Sequence, residues 1–242
     1  MFLGTAIPFC AIVLVAAFVN GVTGFAFNMV VMLVLPHLFG YTKALAMASM
    51  MATLLLIDSS YTYRHHVKYK WLPLCAVTSA FGDLAGILVL KRVGNAPFWF
   101  TLMGAVFILM ALYLLFGQSR LQLKENRGTL IVSSTLSGLI IGAFGCGVPI
   151  IAAFFLATSK KKEEYLGTVQ MVSLITMAID VCLRAINGMY TLRMIAWILL
   201  GLVFIIIGIL IAKRLVNRMN IQTMRHLVCI VMILCGGLIM LR

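Results

Sequence analysis

A glycine-rich stretch in the second half of the chain could expose backbone groups to a ligand. Residues 136–149 contain four glycines and a proline within an apolar segment, namely Gly138, Gly142, Gly145, Gly147 and Pro149. This composition cannot continue a regular helix. The flanks are nevertheless too apolar to lie in water, and irregular backbone at membrane depth is tolerated only where protein buries it or where it lines a cavity.

A similar stretch occurs near the N-terminus, at residues 20–28, with Pro36 following. Helices that start inside a membrane present free N–H groups and a positive dipole end, which favour an anion. Two such interruptions in corresponding places indicate a transporter's binding site. Glycines that only allow close helix packing are the alternative. The candidate binding residues are Asn20, Gly21, Thr23, Gly24, Phe25, Asn28, Gly142, Gly145, Cys146, Gly147 and Pro149.

A second candidate group consists of polar residues within apolar segments. Ionised side chains inside a membrane need a partner, water or a role. Asp180 has Arg184 one turn away, so the two could neutralise each other. A polar stripe on that helix predicts either a transport pathway or a hydrogen-bonded helix contact with a structural ion pair. The candidate pathway or coupling residues are Gln170, Ser173, Thr176, Asp180, Arg184 and Asp83.

The composition excludes a soluble domain. The chain has 242 residues, 63% of them hydrophobic, and a formal net charge of +13. Apolar runs longer than about 18 residues recur, as expected of membrane-spanning helices. The basic residues lie in short loops, so membrane topology explains them better than nucleic-acid binding. The six cysteines lie in apolar segments without metal-ligand spacing, so we expect packing roles, with no metal and no cofactor.

The apolar segments predict an all-α polytopic membrane protein. They lie at about 3–20, 25–38, 42–62, 71–90, 96–117, 128–141, 148–158, 164–187, 193–212 and 223–241. The pairs 3–20 with 25–38 and 128–141 with 148–158 are short for full crossings, which indicates broken or re-entrant helix pairs. Three spanning segments follow each pair.

This order predicts two repeats, at residues 1–117 and 128–242, joined by a cytoplasmic linker at 118–127. Residues 86–92 and 208–214 are identical at five of seven positions, and the glycine motifs recur in the same order. Two thin full spans in place of each re-entrant pair remain an alternative.

Positive charge predicts the orientation. If each broken pair enters and leaves on one side, thirteen of the 19 basic residues share a side, and positive residues concentrate in the cytoplasm. The repeats are then inverted and the termini lie outside. The thirteen are Arg64, Lys68, Lys70, Arg120, Lys124, Arg127, Lys160, Lys161, Lys162, Lys213, Arg214, Arg218 and Arg225.

The two motifs resemble those of the TauE/SafE sulfite exporter family of membrane permeases. Residues 20–27, followed by Pro36, are similar to a first-half motif of that family, and residues 145–149 are similar to its glycine-rich second-half turn. Ala26 and Val148 stand where the family usually has glycine. The resemblance implies transport of small, often sulfur-containing anions, coupled to protons or another ion.

We therefore expect a permease, and not an enzyme, in a bacterial inner membrane. Its substrate would be sulfite, an organosulfonate or a related small organic anion, bound where the two glycine-rich breaks meet. Its other partner would be the lipid bilayer, and we expect no nucleic acid. A passive anion channel and an intramembrane thiol enzyme that uses Cys146 are the alternative functions.

We predict that Ser159 and the C-terminus lie on opposite faces of the membrane. In a cysteine-free background, Ser159→Cys and Arg242→Cys should react with an impermeant thiol reagent from opposite sides of sealed vesicles. Labelling of both from the same side would contradict the inverted topology.

Overall fold

The computed structural model describes residues 2–23, 26–93, 98–112, 126–159 and 162–216, with isolated positions 230, 233, 234 and 237. Its described elements are helices, and no strand occurs among them. Two short 3₁₀ turns, Arg64–His66 and Tyr69–Trp71, connect α4 to α5. The α-helices are α1 Phe2–Thr23, α2 Phe27–Val31, α3 Leu35–Phe39, α4 Tyr41–Tyr63, α5 Leu72–Val93, α6 Phe98–Leu112, α7 Arg127–Phe144, α8 Val148–Thr158, α9 Lys162–Ile186 and α10 Leu192–Val216.

Five stretches within the described part of the chain are long and apolar enough to cross a membrane. They lie in α4, α5, α7, α9 and α10, and a shorter apolar stretch, Thr5–Gly21, lies in α1. The prediction of an all-α polytopic membrane protein is confirmed. The predicted last span, 223–241, and most of the linker, 118–125, lie outside the described residues apart from the isolated positions.

The first broken pair differs from its prediction. Helix α1 is 22 residues long and continues through Gly21, although the sequence predicts an end near residue 20. Segment 25–38 forms the two short helices α2 and α3 instead of one half-helix. Pro36 lies in the first turn of α3, where its missing N–H costs nothing, so a new helix begins there.

The second broken pair is close to its prediction. Helix α8 has the predicted bounds, whereas α7 ends three residues later than predicted, at Phe144. Gly145 then adopts a left-handed conformation with φ 75°, which ends α7 without a steric penalty.

Close contacts between small residues join α5 to α7. A Cβ atom added at Gly82 or Gly86 would collide with backbone atoms of α7, and one added at Gly138 or Gly142 would collide with backbone atoms of α5. Small residues on both helices allow backbones to approach this closely. Helix α1 contacts α10 in a related way, because Gly21 faces Ala212 and Gly208 faces Ala17.

These contacts connect the two halves of the chain. The main packing pairs are α5 with α7, α1 with α10 and α4 with α9, and each joins a helix of the first half to one of the second. Under the predicted duplication, α1 corresponds to α7 and α10 to α5, so the first two pairs are equivalent. The two halves of the chain therefore pack into each other. This packing agrees with an inverted repeat, which stays a prediction.

Side-chain contacts also join loops that the charge count assigns to one side of the membrane. Lys68 Nζ lies 3.0 Å from Glu164 Oε1 and donates to the Thr158 carbonyl at 2.8 Å. The loop after α4 is thereby held against the junction of α8 and α9. Lys91 Nζ donates to Asn187 Oδ1 at 2.7 Å and joins the end of α5 to the end of α9.

We predict that Gly86→Ala destabilises the protein by about 1–3 kcal/mol, because its methyl group would meet rigid backbone of α7. Gly128→Ala is the matched control, since a Cβ at Gly128 meets nothing within 4 Å. Thermal unfolding in detergent should show a lower midpoint for Gly86→Ala only. Equal midpoints for both variants would contradict this close packing.

Candidate functional site

The two chain breaks meet at a hydrogen bond between Asn28 and Gly145. Asn28 Nδ2, on α2, donates to the Gly145 carbonyl at 2.7 Å, and both residues are buried. The two positions lie 117 residues apart, which is also the spacing of the two glycine motifs. The structure thus brings together one predicted site residue from each break.

Side chains from three elements satisfy the carbonyl groups at the end of α7. Arg184 Nη2 donates to the carbonyls of Gly142 at 2.9 Å and Ile141 at 3.3 Å. The Tyr41 hydroxyl donates to the Ala143 carbonyl at 3.0 Å. With Asn28 on Gly145, these bonds replace the intrahelical partners that a helix end lacks. The sequence analysis missed Tyr41, which carries no pattern that would indicate this role.

The N-terminus of α2 already has a protein partner. The Phe27 N–H donates to Asn20 Oδ1 at 3.1 Å, so Asn20 provides the acceptor for the first N–H of this five-residue helix. The sequence predicts a ligand-facing half-helix here, related to α8 by symmetry. The structure corrects that expectation, and α8 is the longer helix that begins at a break.

A small cavity lies between the breaks. Its walls come from α1, α2, α4, α9 and the turn between α7 and α8, and it is partly open to the surroundings. The lining residues are Asn20, Phe27, Asn28, Ala52, Leu55, Leu56, Gly145, Val148, Ser173 and Met177.

The cavity wall offers donors for an anion. Ser173 is 2% exposed, and its hydroxyl has no hydrogen-bond partner among the described residues. Val148 is the first residue of the 11-residue helix α8, and the helix dipole places partial positive charge at this end. Pro149 has no N–H, and the Ile150 N–H donates to the Gly147 carbonyl at 3.1 Å. A helix start and a free hydroxyl on one wall suit a small anion. No lining residue carries a charge.

Other predicted binding residues lie away from the cavity wall. Gly21 faces α10, Gly142 faces Asp83, and Gly147 faces the Ser137 carbonyl, so all three serve close packing. This is the role that the sequence analysis kept as its alternative.

The remaining predicted binding residues belong to the turn before α8 and to the end of α1 with the residues that follow it. Cys146 is 3% exposed and belongs to the hydrophobic core, and Pro149 lies buried in the first turn of α8. Thr23 ends α1, and the predictions for Gly24 and Phe25 lie outside the described residues.

The polar residues along α9 lie in three different environments. The backbone carbonyl of Gln170 accepts from the Ser60 hydroxyl of α4 at 3.0 Å, which is a helix contact, whereas the Thr176 hydroxyl donates to the Ser173 carbonyl of its own helix at 3.1 Å. Ser173 itself faces the cavity. The stripe then ends at Asp180 and Arg184, which join a buried ionic cluster.

That cluster contains three charged residues from two helices. Arg184 Nε lies 2.8 Å from both oxygens of Asp180, and both side chains are fully buried. Asp83 of α5 lies beside this pair, because its Oδ1 is 2.7 Å from where a Cβ atom of Gly142 would be and Arg184 Nη2 donates to the Gly142 carbonyl at 2.9 Å. The sequence predicts the Asp180–Arg184 pair but does not place Asp83 beside it. The flanking Gly82 and Gly86 were the available signal that this face of α5 contacts another helix.

Comparison with known families gives one match over nearly the whole chain. Residues 9–239 match the family described as sulfite exporter TauE/SafE. No curated protein and no solved structure matches the chain. Among the described residues, no group of three or more His, Cys, Asp or Glu side chains could hold a metal ion.

We predict that Asn28→Ala lowers the free energy of unfolding by about 1–3 kcal/mol, because the buried Gly145 carbonyl would lose its donor. The control is Asn187→Ala at the partly exposed end of α9, where water can replace the lost bonds. Thermal unfolding in detergent measures both. A similar loss for the two variants would show that the bond between the breaks has no special importance.

Proposed function

The chain belongs to the sulfite exporter TauE/SafE family, and on that premise we propose that it is a permease for a small anion. The substrate we propose is sulfite, an organosulfonate or a related small organic anion. It would bind in the cavity between the two glycine-rich breaks. The proposal includes a bacterial inner-membrane location, two inverted repeats and termini on the outer face.

The observation that carries this proposal is the cavity wall formed by Val148 and Ser173. A helix start favours negative charge through its dipole. The Ser173 hydroxyl adds a donor that no described protein group uses. These two features of the wall suit the oxygens of a sulfite or sulfonate group.

No cationic residue lines the cavity. This favours a protein that releases its bound anion over one that holds the anion tightly. An anion held only by dipoles and hydrogen bonds can be released, whereas one paired with a buried arginine would leave that charge unsatisfied on departure. Arg184 is already paired with Asp180.

The packing of the halves supports alternating access. Helices α1 and α7, which precede the breaks, each pack on a spanning helix of the opposite half. In transporters built from inverted repeats, one bundle rocks against the other around a site near the midplane.

The thiol-enzyme alternative gains no support from the structure. Cys146 lies within the hydrophobic core, whereas a nucleophile needs access to substrate and a neighbouring base. We therefore assign Cys146 to packing.

We predict that Ser173→Ala weakens sulfite binding about tenfold or more, since a hydrogen bond to a charged group contributes about 1.5–3 kcal/mol. Ser173→Asp should abolish binding by charge repulsion. Sulfite-dependent thermal stabilisation and sulfite flux into proteoliposomes measure these effects.

Ser49→Ala is the matched control. Ser49 is also a fully buried serine whose hydroxyl has no partner among the described residues, but it does not line the cavity. It should bind sulfite like the parent protein. If Ser173→Asp binds sulfite normally while remaining folded, the proposed site is wrong.

A further inference from the structure

We propose that Asp83 and Asp180 share one exchangeable proton in the buried cluster with Arg184, and that this proton is the coupling ion of transport. Asp83 is 2% exposed, while Asp180 and Arg184 are completely buried. The role in transport rests on the proposed function. The proton site itself does not.

The charges of the cluster require a proton for balance. Two ionised carboxylates beside one guanidinium leave a net negative charge in the interior, and an uncompensated buried charge is strongly destabilising. Among the described residues, the other titratable group at the cluster is Tyr190, whose hydroxyl donates to the Ala46 carbonyl at 3.0 Å. From α7, the cluster receives only the backbone carbonyls that bind Arg184.

The geometry identifies Asp83 as the residue that gains the proton. Arg184 Nε contacts both oxygens of Asp180 and thereby stabilises its ionised form. No donor among the described residues reaches either oxygen of Asp83. Asp83 Oδ1 lies 2.7 Å from the position that a Cβ atom of Gly142 would take, and Arg184 Nη2 donates to the Gly142 carbonyl at 2.9 Å, so the Asp83 carboxyl belongs to the same cluster. Two ionised carboxylates in one site repel each other, whereas a protonated Asp83 can donate to its neighbour.

A metal cation suits this place less well than a proton. Sodium or a divalent ion needs several oxygen ligands, and the adjacent guanidinium would repel it. A proton needs only the two facing carboxyl groups, as in other carboxyl pairs that share a site. On release, the O–H bond of Asp83 breaks, the proton passes to water, and a second carboxylate remains in the cluster.

The cluster is connected to the cavity through the end of α7. Arg184 binds the Ile141 carbonyl, which also accepts the Gly145 N–H at 2.7 Å. Gly145 lines the cavity. An ionised Asp83 would compete for Arg184 and weaken the bonds from Arg184 to the carbonyls of α7. Loss of the proton would therefore loosen the turn after α7 that contributes to the cavity wall.

Infrared spectroscopy of the purified full chain tests the proton site without any substrate. A protonated carboxyl group has a carbonyl band separate from those of carboxylates. At neutral pH, where exposed acids are ionised, the parent protein should show one such carboxyl per chain, and the band should disappear as the pH is raised. Carbon-13 in the carboxyl groups of aspartate should shift it, which identifies an aspartate.

Asp83→Asn should lack this band, whereas Asp58→Asn, which changes an exposed aspartate, should keep it. The absence of an aspartate band from the folded parent protein would overturn the proposal, as would its persistence in folded Asp83→Asn. If Asp83→Asn does not fold, the labelled parent protein still decides the question. Loss of the band on replacing choline with sodium at fixed pH would show a cation site instead.

Sulfite-driven proton movement, reported by a pH dye inside proteoliposomes, tests the coupling role. The parent protein should move protons with sulfite, and Asp83→Asn should not. If the infrared band is present but sulfite neither binds nor moves, the proposed function fails while the proton site stands. If sulfite moves without protons in the parent protein, the coupling role is wrong.

Discussion

The structure depends on how the backbone is satisfied where α7 ends in the protein interior. A helix end frees carbonyl groups, and the surroundings of a membrane protein offer no water to bind them. Arg184, Tyr41 and Asn28 donate to four of the carbonyls between Ile141 and Gly145. These side chains come from α9, α4 and α2, so the break fixes the relative positions of elements from both halves.

Glycine has two separate uses in this arrangement. Gly145 ends α7 with a positive φ angle and contributes to the cavity wall. The glycines of the α5–α7 contact bring two backbones together, and that contact places Asp83 beside Asp180. The same residue type therefore shapes a binding cavity at one position and assembles an ionic cluster at another. A substitution at Gly147 would mainly disturb packing, because its added Cβ would meet the Ser137 carbonyl.

The cavity and the ionic cluster are neighbours but are chemically distinct. The cavity has apolar walls with a few donors, and its lining carries no charge. The cluster is buried and consists of ionisable groups. Because no charged residue lines the cavity, an anion bound there, as we propose, would leave without exposing an unpaired arginine. The carbonyls at the end of α7 are the physical connection between the two.

The helical membrane class, the family motifs, the bounds of α8 and the Asp180–Arg184 pair could be predicted from the sequence, because apolar length, glycine spacing and helix periodicity are local properties. The sequence also indicated Asn28 and Gly145 as site residues. The packing of the helices was needed to show that Asn20 accepts from the first N–H of α2, that Gly21, Gly142 and Gly147 pack helices, and that Ser173 faces the cavity. It also placed Asp83 in the cluster and Tyr41 on α7. Each of these roles depends on which distant helix a side chain meets, and that choice follows from the packing of the two halves, which no local pattern encodes.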